Sequence, residues 1–258
     1  MTRKIPWIGT SWKMNKLRGE ARDFANSLNA SSVAKSQAVQ PFVIPPFPYI
    51  ADVANILAGS AVMVGAQNMH WENEGAWTGE VSAPMIRDCG ASLVELGHSE
   101  RRSFFHETDE TVALKVRCAL RHGLLALVCI GDTKAEYDAG NTSRVLEKQV
   151  RAALQHVANE ACGKVIFAYE PVWSIGVGGT PADPAFADQQ HQLIKSLTSN
   201  LTGEALAVLY GGSVNQQNCC ELAEQTHIDG LFIGRAAWNV AGYIAIIEAV
   251  TEQLGVTS

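Results

Sequence analysis

The segment Phe167–Thr180, FAYEPVWSIGVGGT, places one carboxylate at the end of an apolar run and follows it with a loop of small residues. The apolar run predicts a buried β-strand, and Pro171 ends it because proline lacks the amide that a sheet requires. Gly176 and the glycines after it predict a loop that can move and whose bare amides can approach an anion. Each feature alone is more often structural, but together they indicate a general base, Glu170, beside a lid.

Similar apolar runs recur along the whole chain and predict eight strands separated by segments with helical periodicity. The predicted strands are residues 7–10, 42–44, 62–66, 93–96, 125–130, 165–169, 207–210 and 231–233. In one of the helical segments, Thr108 is expected to cap the helix. This alternation implies a parallel sheet, which occurs both in a doubly wound open fold and in a closed barrel. Eight repeats of about thirty residues favour an α/β fold with one (β/α) TIM barrel domain over residues 1–258.

Composition narrows the classes of partner. The chain has 258 residues, 47% of them hydrophobic, which is enough for one large core. Its net charge of -6, with 20 scattered lysines and arginines, argues against a nucleic-acid surface. No apolar run approaches the length of a membrane span, and six cysteines without C-x-x-C spacing favour reduced thiols. We therefore expect a cytoplasmic protein without membrane or nucleic-acid partners.

Residues that carry chemistry follow the predicted strands and never precede them. Those residues are Lys13, His98, Glu170, Ser213 and Gly234. In a barrel the carboxyl ends of all strands meet at one mouth, where such folds hold their sites. Any one of these residues is more often structural, but five of them at one mouth predict a functional site.

His98 lies between a predicted strand and a predicted helix, with Ser99 as the expected helix cap. A helix N-terminus disfavours the imidazolium ion, so His98 is expected to be neutral and to donate one hydrogen bond. Together with Glu170, this arrangement suits removal of a proton next to a carbonyl group. The cation of Lys13 would neutralise a phosphate and the developing enediolate.

The last two strands end in small residues, which is where barrels commonly bind phosphate. The expected amide donors are Gly176, Ser213, Gly234 and Arg235. No group of histidines and carboxylates shows metal-ligand spacing, so we expect neither a metal nor a cofactor.

Several motifs make the whole chain resemble the triose-phosphate isomerase family. The matching segments are 12–15 (WKMN), 65–68 (GAQN), 79–80 (GE), 95–102 (ELGHSERR), 129–131 (CIG), 168–173 (AYEPVW) and 210–215 (YGGSVN). The resemblance implies that Glu170 is the base, His98 the electrophile, Lys13 the electrostatic partner and Glu100 its supporting carboxylate. The substrate would be a small phosphorylated sugar.

The same resemblance implies a homodimer in which the loop 67–80 inserts into a second subunit. The loop carries Met69, Trp71 and Trp77, which are expected to form its apolar anchors. On a monomer these three side chains would form an exposed apolar patch.

The chain also departs from the ordinary family pattern. Ser11 replaces an asparagine that touches the substrate, the lid lacks its usual lysine, and Arg235 follows Gly234 where two glycines are typical. Three segments are similar to the branch that converts L-erythrulose 1-phosphate into D-erythrulose 4-phosphate: 10–16 (TSWKMNK), 69–71 (MHW) and 234–239 (GRAAWN). That substrate is dihydroxyacetone phosphate with an added hydroxymethyl group, and the shorter Ser11 would make room for it.

Three alternatives remain at this point. Ordinary triose-phosphate isomerase, acting on dihydroxyacetone phosphate, would use the same acid–base pair. A phosphate-binding barrel without catalysis would be expected to lose Glu170 and His98, yet both are present. A purely structural or interaction protein would not need functional groups at one mouth.

Overall fold

A computed structural model describes residues 5–176 and 178–255. Residues 1–4 and 256–258, at the ends of the predicted domain, and Val177, in the predicted lid, lie outside the described residues. The strands are β1 (Trp7–Ser11), β2 (Gln40–Ile44), β3 (Met63–Ala66), β4 (Leu93–Leu96), β5 (Leu125–Ile130), β6 (Val165–Tyr169), β7 (Ala207–Tyr210) and β8 (Gly230–Ile233). All eight predicted strands are confirmed, with boundaries that differ by at most two residues.

The strands form one closed parallel barrel in sequence order. The first strand pairs with the last, in a register that places Trp7 opposite Gly230 and Thr10 opposite Ile233. A doubly wound sheet leaves its edge strands unpaired, so this pairing decides for the TIM barrel. The predicted fold class is therefore confirmed.

Helices surround the barrel and bury the outer faces of its strands. They are α1 (Arg18–Asn29), α2 (Ile50–Ile56), α3 (Ala83–Asp88), α4 (Ser99–Phe104), α5 (Asp109–Arg121), α6 (Lys134–Asp138), α7 (Thr142–Leu154), α8 (Pro184–Thr202), α9 (Cys219–Glu224) and α10 (Val240–Gln253). Thr108 caps α5, as predicted, by accepting a hydrogen bond from the amide of Thr111. Within the described ranges, no helix is both long and apolar enough to cross a membrane.

Alternate residues of each strand fill the inside of the barrel. Phe42, Leu93, Ile166 and Phe232 belong to this interior cluster, and the Phe42 and Phe232 rings stack at 5.8 Å. Because side chains alternate along a strand, the residues two or four positions nearer the carboxyl end face inward as well. The interior positions at the mouth include the polar residues Ser11, Glu95 and Glu170, whereas the positions deeper in the barrel are apolar.

The six cysteines are all free thiols, in agreement with the prediction of reduced cysteines. Cys129 lies in β5 and faces the barrel interior, where its side chain is buried. Burial and the neighbouring carboxylates raise the pKa of the Cys129 thiol well above its ordinary value. A thiol held neutral in this way is a packing group and not a nucleophile.

Candidate active site

Glu170 is the first residue after β6, and its backbone is held tightly against the end of β5. Its amide donates a hydrogen bond of 2.7 Å to the carbonyl of Ile130. A Cβ atom on Gly131 would lie 1.9 Å from the Glu170 carbonyl oxygen, so only glycine allows this close approach. The strand end therefore fixes where the Glu170 carboxyl group points.

The Glu170 carboxyl group is buried without a full set of partners. The residue is 3% exposed, and its Oε2 atom has no hydrogen-bond partner among the described residues. Burial and then the negative charge of Glu95 raise the pKa of Glu170 to about 8. A desolvated carboxylate with a free lone pair is a stronger base than one in water, because its charged form is less stabilised.

His98 faces Glu170 across the mouth of the barrel. Its Nδ1 atom accepts a hydrogen bond of 3.1 Å from the amide of Glu100, and its Nε2 atom lies 3.7 Å from Glu170 Oε2. His98 is thus itself the N-cap of α4, and the prediction that Ser99 caps this helix is wrong. The helix begins at Ser99, one residue earlier than a cap at Ser99 would require, so the imidazole of His98 occupies the capping position.

The protonation state of His98 follows from these contacts. Burial and then the charge of Lys13 lower the pKa of His98 to about 4, so the ring is neutral near pH 7. Because Nδ1 accepts a hydrogen bond, the single ring proton must lie on Nε2. His98 therefore presents an N–H donor to the centre of the site, as predicted.

Lys13 reaches the same site from the loop after β1. Its Nζ atom forms an ion pair of 2.7 Å with Glu100 Oε1. The Lys13 backbone has a φ of 53°, in the left-handed region that non-glycine residues seldom adopt. Gln67 stabilises this conformation by donating a hydrogen bond of 2.9 Å to the Lys13 carbonyl. Glu100 and Gln67 together fix the position of the cation.

The predicted phosphate donors lie around one cavity at the ends of β6, β7 and β8. Gly176, Ser213, Gly234 and Arg235 all line it, together with Gly211, Gly212 and Asn215. A Cβ atom on Gly212 would lie 2.3 Å from the Tyr210 hydroxyl, so only glycine fits this wall. The Arg235 side chain is exposed to solvent, while its backbone begins a 3-10 turn beside the cavity.

Ser11 is the last residue of β1 and contacts a residue to which the sequence pattern gave no role. Its hydroxyl donates a hydrogen bond of 2.8 Å to Glu95 Oε2, in β4. Trp238 holds the same strand end by donating from its indole nitrogen to the Ser11 carbonyl at 3.0 Å. The motif around Trp238 is therefore physically connected to the position of Ser11.

Glu95 also lies in the site, and the sequence analysis assigned it no role. It is 2% exposed and lines a second cavity together with Ser11, Lys13 and His98. Burial raises the pKa of Glu95 to about 7, and the Ser11 hydrogen bond offsets part of this effect. The sequence does contain a sign of this position. Glu95 lies two residues after Leu93 in an apolar strand and therefore shares its inward face, where an acidic residue is costly to bury.

The fold also brings together three possible metal ligands that the sequence spacing did not indicate. Potential ligand atoms of Glu95, His98 and Glu170 all lie within 4.8 Å of one another, a geometry that could hold a metal ion. The tautomer of His98 opposes this use, because Nε2 carries a proton and Nδ1 is engaged by the Glu100 amide. The three side chains are better arranged for moving protons than for binding a cation.

The loop 67–80 differs in part from its prediction. Met69 is 0% exposed and packs into the core of its own chain, so its predicted role as an exposed anchor is wrong. Trp71 is half-buried, whereas Trp77 is 48% exposed. The ring of His70 lies against both tryptophans, at 4.1 Å and 4.4 Å between ring centres. The exposed apolar surface of this loop therefore centres on Trp77.

Comparison with known proteins agrees with this geometry. The family profile described as triosephosphate isomerase matches residues 6–250. A protein of Mesorhizobium japonicum named L-erythrulose-1-phosphate isomerase is 53% identical over 246 residues, which cover 95% of this chain and 97% of the relative. A protein of Rhizobium meliloti with the same name is 51% identical over 257 residues, covering 98% and 100%. A third, from Brucella abortus, is 52% identical over 242 residues, covering 93% and 94%.

The buried carboxyl group of Glu95 should make stability depend on pH. Its pKa is about 7 in the native protein against an ordinary value of 4.5, so the native state binds the extra proton between these values. The free energy of unfolding should therefore fall as the pH rises through this window. Glu95→Gln should be as stable as wild type near pH 4.5 and more stable at pH 8, by up to about 3 kcal/mol.

Urea unfolding at several pH values, followed by circular dichroism, measures this difference. Glu252→Gln removes an exposed carboxylate from α10 and should follow the wild-type pH dependence. A constant difference between wild type and Glu95→Gln from pH 5 to pH 8 would contradict the assigned burial cost.

Proposed function

This chain belongs to the triosephosphate isomerase family and is an isomerase, and we propose that it converts L-erythrulose 1-phosphate into D-erythrulose 4-phosphate. One pair of groups supports this chemistry. Glu170 Oε2, which has no hydrogen-bond partner among the described residues, lies 3.7 Å from Nε2 of the neutral His98 ring. The choice of substrate is supported by three relatives that are more than half identical to this chain over nearly its whole length. All three are named L-erythrulose-1-phosphate isomerase.

The reaction moves a carbonyl group by one carbon through an enediolate. Glu170 removes the proton from C3 of L-erythrulose 1-phosphate while His98 Nε2–H polarises the carbonyl oxygen on C2. The resulting carboxylic acid of Glu170 then delivers its proton to C2, and the proton of the C3 hydroxyl passes through His98 to the oxygen on C2, so that the C3 oxygen becomes the new carbonyl. No atom is gained or lost, so neither a redox cofactor nor a second substrate is needed.

Lys13 stabilises the negative charge that develops during this reaction. Its ammonium group is oriented by Glu100 and lines the same cavity as His98. In a site from which water is excluded, a fixed cation stabilises an enediolate more than bulk solvent does. Glu100 serves as the supporting carboxylate, and it also donates its backbone amide to His98 Nδ1.

The phosphate group occupies the cavity lined by Gly176, Ser213, Gly234 and Arg235. Backbone amides at these positions bind an anion without the loss of side-chain entropy. Because the side chain of Arg235 is exposed to solvent, it is the Arg235 backbone that forms part of the cavity wall. Gly176 lies at the start of the predicted lid and has a φ of 84°, which favours glycine at this hinge.

Ordinary triosephosphate isomerase is the alternative, and Ser11 is the residue that disfavours it. Ser11 is shorter than asparagine and is turned toward Glu95, at a hydrogen-bond distance of 2.8 Å. This leaves room beside the reacting carbons for the extra hydroxymethyl group of a four-carbon substrate. Dihydroxyacetone phosphate lacks that group and would be held less firmly.

We further propose that the protein is a homodimer joined through the loop 67–80. Trp77 is the largest exposed side chain of the loop, and Met14, beside Lys13, is 96% exposed. Met14, Phe47 and Phe105 together line the cavity that contains Lys13 and His98. These three side chains form the exposed rim of the cavity, whereas Glu95 and His98 lie buried within it. A partner loop seated on the rim would bury apolar side chains that a monomer leaves in water, and the buried part of the cavity would remain for the substrate.

Substrate preference is the first test. Wild-type enzyme should have a higher kcat/KM for L-erythrulose 1-phosphate than for dihydroxyacetone phosphate. Ser11→Asn should narrow this preference by about ten- to a few hundredfold, because a steric change of this size is worth about 1–3 kcal/mol. Steady-state kinetics with both substrates on both proteins measure it. A wide wild-type preference for dihydroxyacetone phosphate would refute the four-carbon assignment.

Glu170→Gln tests the identity of the base. The variant keeps the shape of the side chain but cannot accept the substrate proton, so kcat should fall by at least ~10² while folding is retained. Glu252→Gln, which changes an exposed carboxylate, should leave kcat unchanged. Near-normal turnover by Glu170→Gln would eliminate this assignment.

Trp77→Glu tests the dimer. A charge in place of the exposed apolar ring should weaken association and lower activity together, since the partner loop would no longer cover the site beside Lys13. Leu201→Glu changes an exposed apolar residue near the end of α8 and should alter neither. Light scattering and activity measured at the same protein concentrations give the result. A fully active wild-type monomer would show that the proposed role of the loop is wrong.

A further inference from the structure

Glu95 is a buried carboxyl group that lines the same cavity as His98 and to which the proposed reaction assigns no step. It faces the barrel interior from β4, in line with Leu93, and lines a cavity of ≈ 210 Å³ with Ser11, Lys13 and His98. It forms no ion pair with any residue in the described ranges. A buried carboxylate without a cation is costly, so its presence calls for a ligand or a function.

The two oxygens of Glu95 have different environments. Oε2 accepts the hydrogen bond from the Ser11 hydroxyl at 2.8 Å. Among the described residues, the hydrogen-bond donor to Oε1 is the Cys129 thiol, at 4.0 Å, and a thiol is a weak donor even at shorter distance. Oε1 therefore retains the capacity to accept a hydrogen bond from a molecule in the cavity.

Glu170 lies beside lining residues of two cavities at the mouth of the barrel. The phosphate cavity includes Gly211, and a Cβ atom on Gly211 would lie 2.7 Å from Glu170 Cγ. The second cavity includes His98, whose Nε2 atom is 3.7 Å from Glu170 Oε2. The two cavities share no lining residue. Because His98 must contact the carbonyl oxygen and lines the second cavity, a substrate with its phosphate in the first cavity extends as far as the second, where Glu95 lies.

The distances bring Glu95 within reach of the group that distinguishes the two candidate substrates. Ligand atoms of Glu95, His98 and Glu170 all lie within 4.8 Å of one another. In L-erythrulose 1-phosphate, the terminal hydroxymethyl group is attached to C3, the carbon from which Glu170 removes a proton. Its hydroxyl is thus one carbon away from the atoms that Glu170 and His98 must contact.

We propose that Glu95 is a specificity-determining residue whose carboxyl group accepts a hydrogen bond from the terminal hydroxyl of the four-carbon substrate. This inference rests on the proposed function. Ser11 both leaves space for the hydroxymethyl group and orients the Glu95 carboxyl toward it. The unpartnered Oε2 of Glu170 independently marks the same space as a ligand position. With dihydroxyacetone phosphate bound, Glu95 would keep only its protein contacts.

Comparing kcat/KM for the two substrates separates a specificity role of Glu95 from its effect on the pKa of Glu170. Glu95 raises the pKa of Glu170, so any change at Glu95 alters proton removal from both substrates. The ratio of kcat/KM for L-erythrulose 1-phosphate to that for dihydroxyacetone phosphate cancels this shared effect. Only a contact that one substrate makes and the other lacks can change the ratio.

The test compares wild type with Glu95→Leu and Glu95→Gln. In Glu95→Leu the ratio should fall by about ten- to a hundredfold, the range expected for one hydrogen bond to a charged group. Glu95→Gln retains one acceptor and should show a smaller fall, and it decides the question if the leucine variant does not fold. Leu93→Val changes the same strand on the same inward face and should leave the ratio unchanged.

Unreactive analogues give a second readout that does not involve the base. The inhibition constant of erythritol 4-phosphate should rise at least tenfold in Glu95→Leu, while that of glycerol 3-phosphate should change less than twofold. A purely structural role for Glu95 would weaken both inhibitors equally. Equal losses, with an unchanged ratio of kcat/KM, would overturn the inference.

The substrate preference of the wild type separates failure of the proposed Glu95 role from failure of the proposed function. If wild type prefers L-erythrulose 1-phosphate but neither Glu95 variant changes the ratio, the inference fails and the proposed function stands. If wild type prefers dihydroxyacetone phosphate, the proposed function fails, and the inference about Glu95 fails with it.

Discussion

The pairing of β1 with β8 closes the sheet, and the site depends on that closure. Parallel strands in a closed barrel must all end at the same mouth, so residues far apart in sequence become neighbours there. Ser11 and Glu95 are 84 positions apart, yet closure and register place their side chains 2.8 Å apart. An open sheet of the same strands would spread these residues along an edge.

Closure also has an electrostatic consequence. The deeper layers of the barrel are apolar, and they exclude water beneath the carboxyl groups of Glu95 and Glu170. Desolvation raises the pKa of both groups, and the negative charge of Glu95 raises the pKa of Glu170 further. The same burial lowers the pKa of His98, which therefore stays neutral. The site consequently gains a basic carboxylate and a neutral donor, at the expense of stability when the carboxyl groups ionise.

Backbone geometry supplies the precision that such a site needs. Lys13 is held in a left-handed conformation by Gln67, and Gly131 permits the close contact that fixes Glu170. Trp238, from the turn after β8, holds the end of β1 where Ser11 begins the site. These contacts join segments that are far apart in the sequence, so the positions of the reactive groups depend on the complete barrel.

The sequence by itself determined the strands, the barrel class and the strand-end positions of Lys13, His98 and Glu170, because apolar runs and chain order are local properties. Tertiary structure alone decided that His98 caps its own helix in place of Ser99, and that Met69 turns into the core. It also decided which buried groups face each other, and so gave Glu95 its partner and its raised pKa. Burial, contact distance and desolvation depend on neighbours that the closed barrel brings together, and no local sequence pattern contains them.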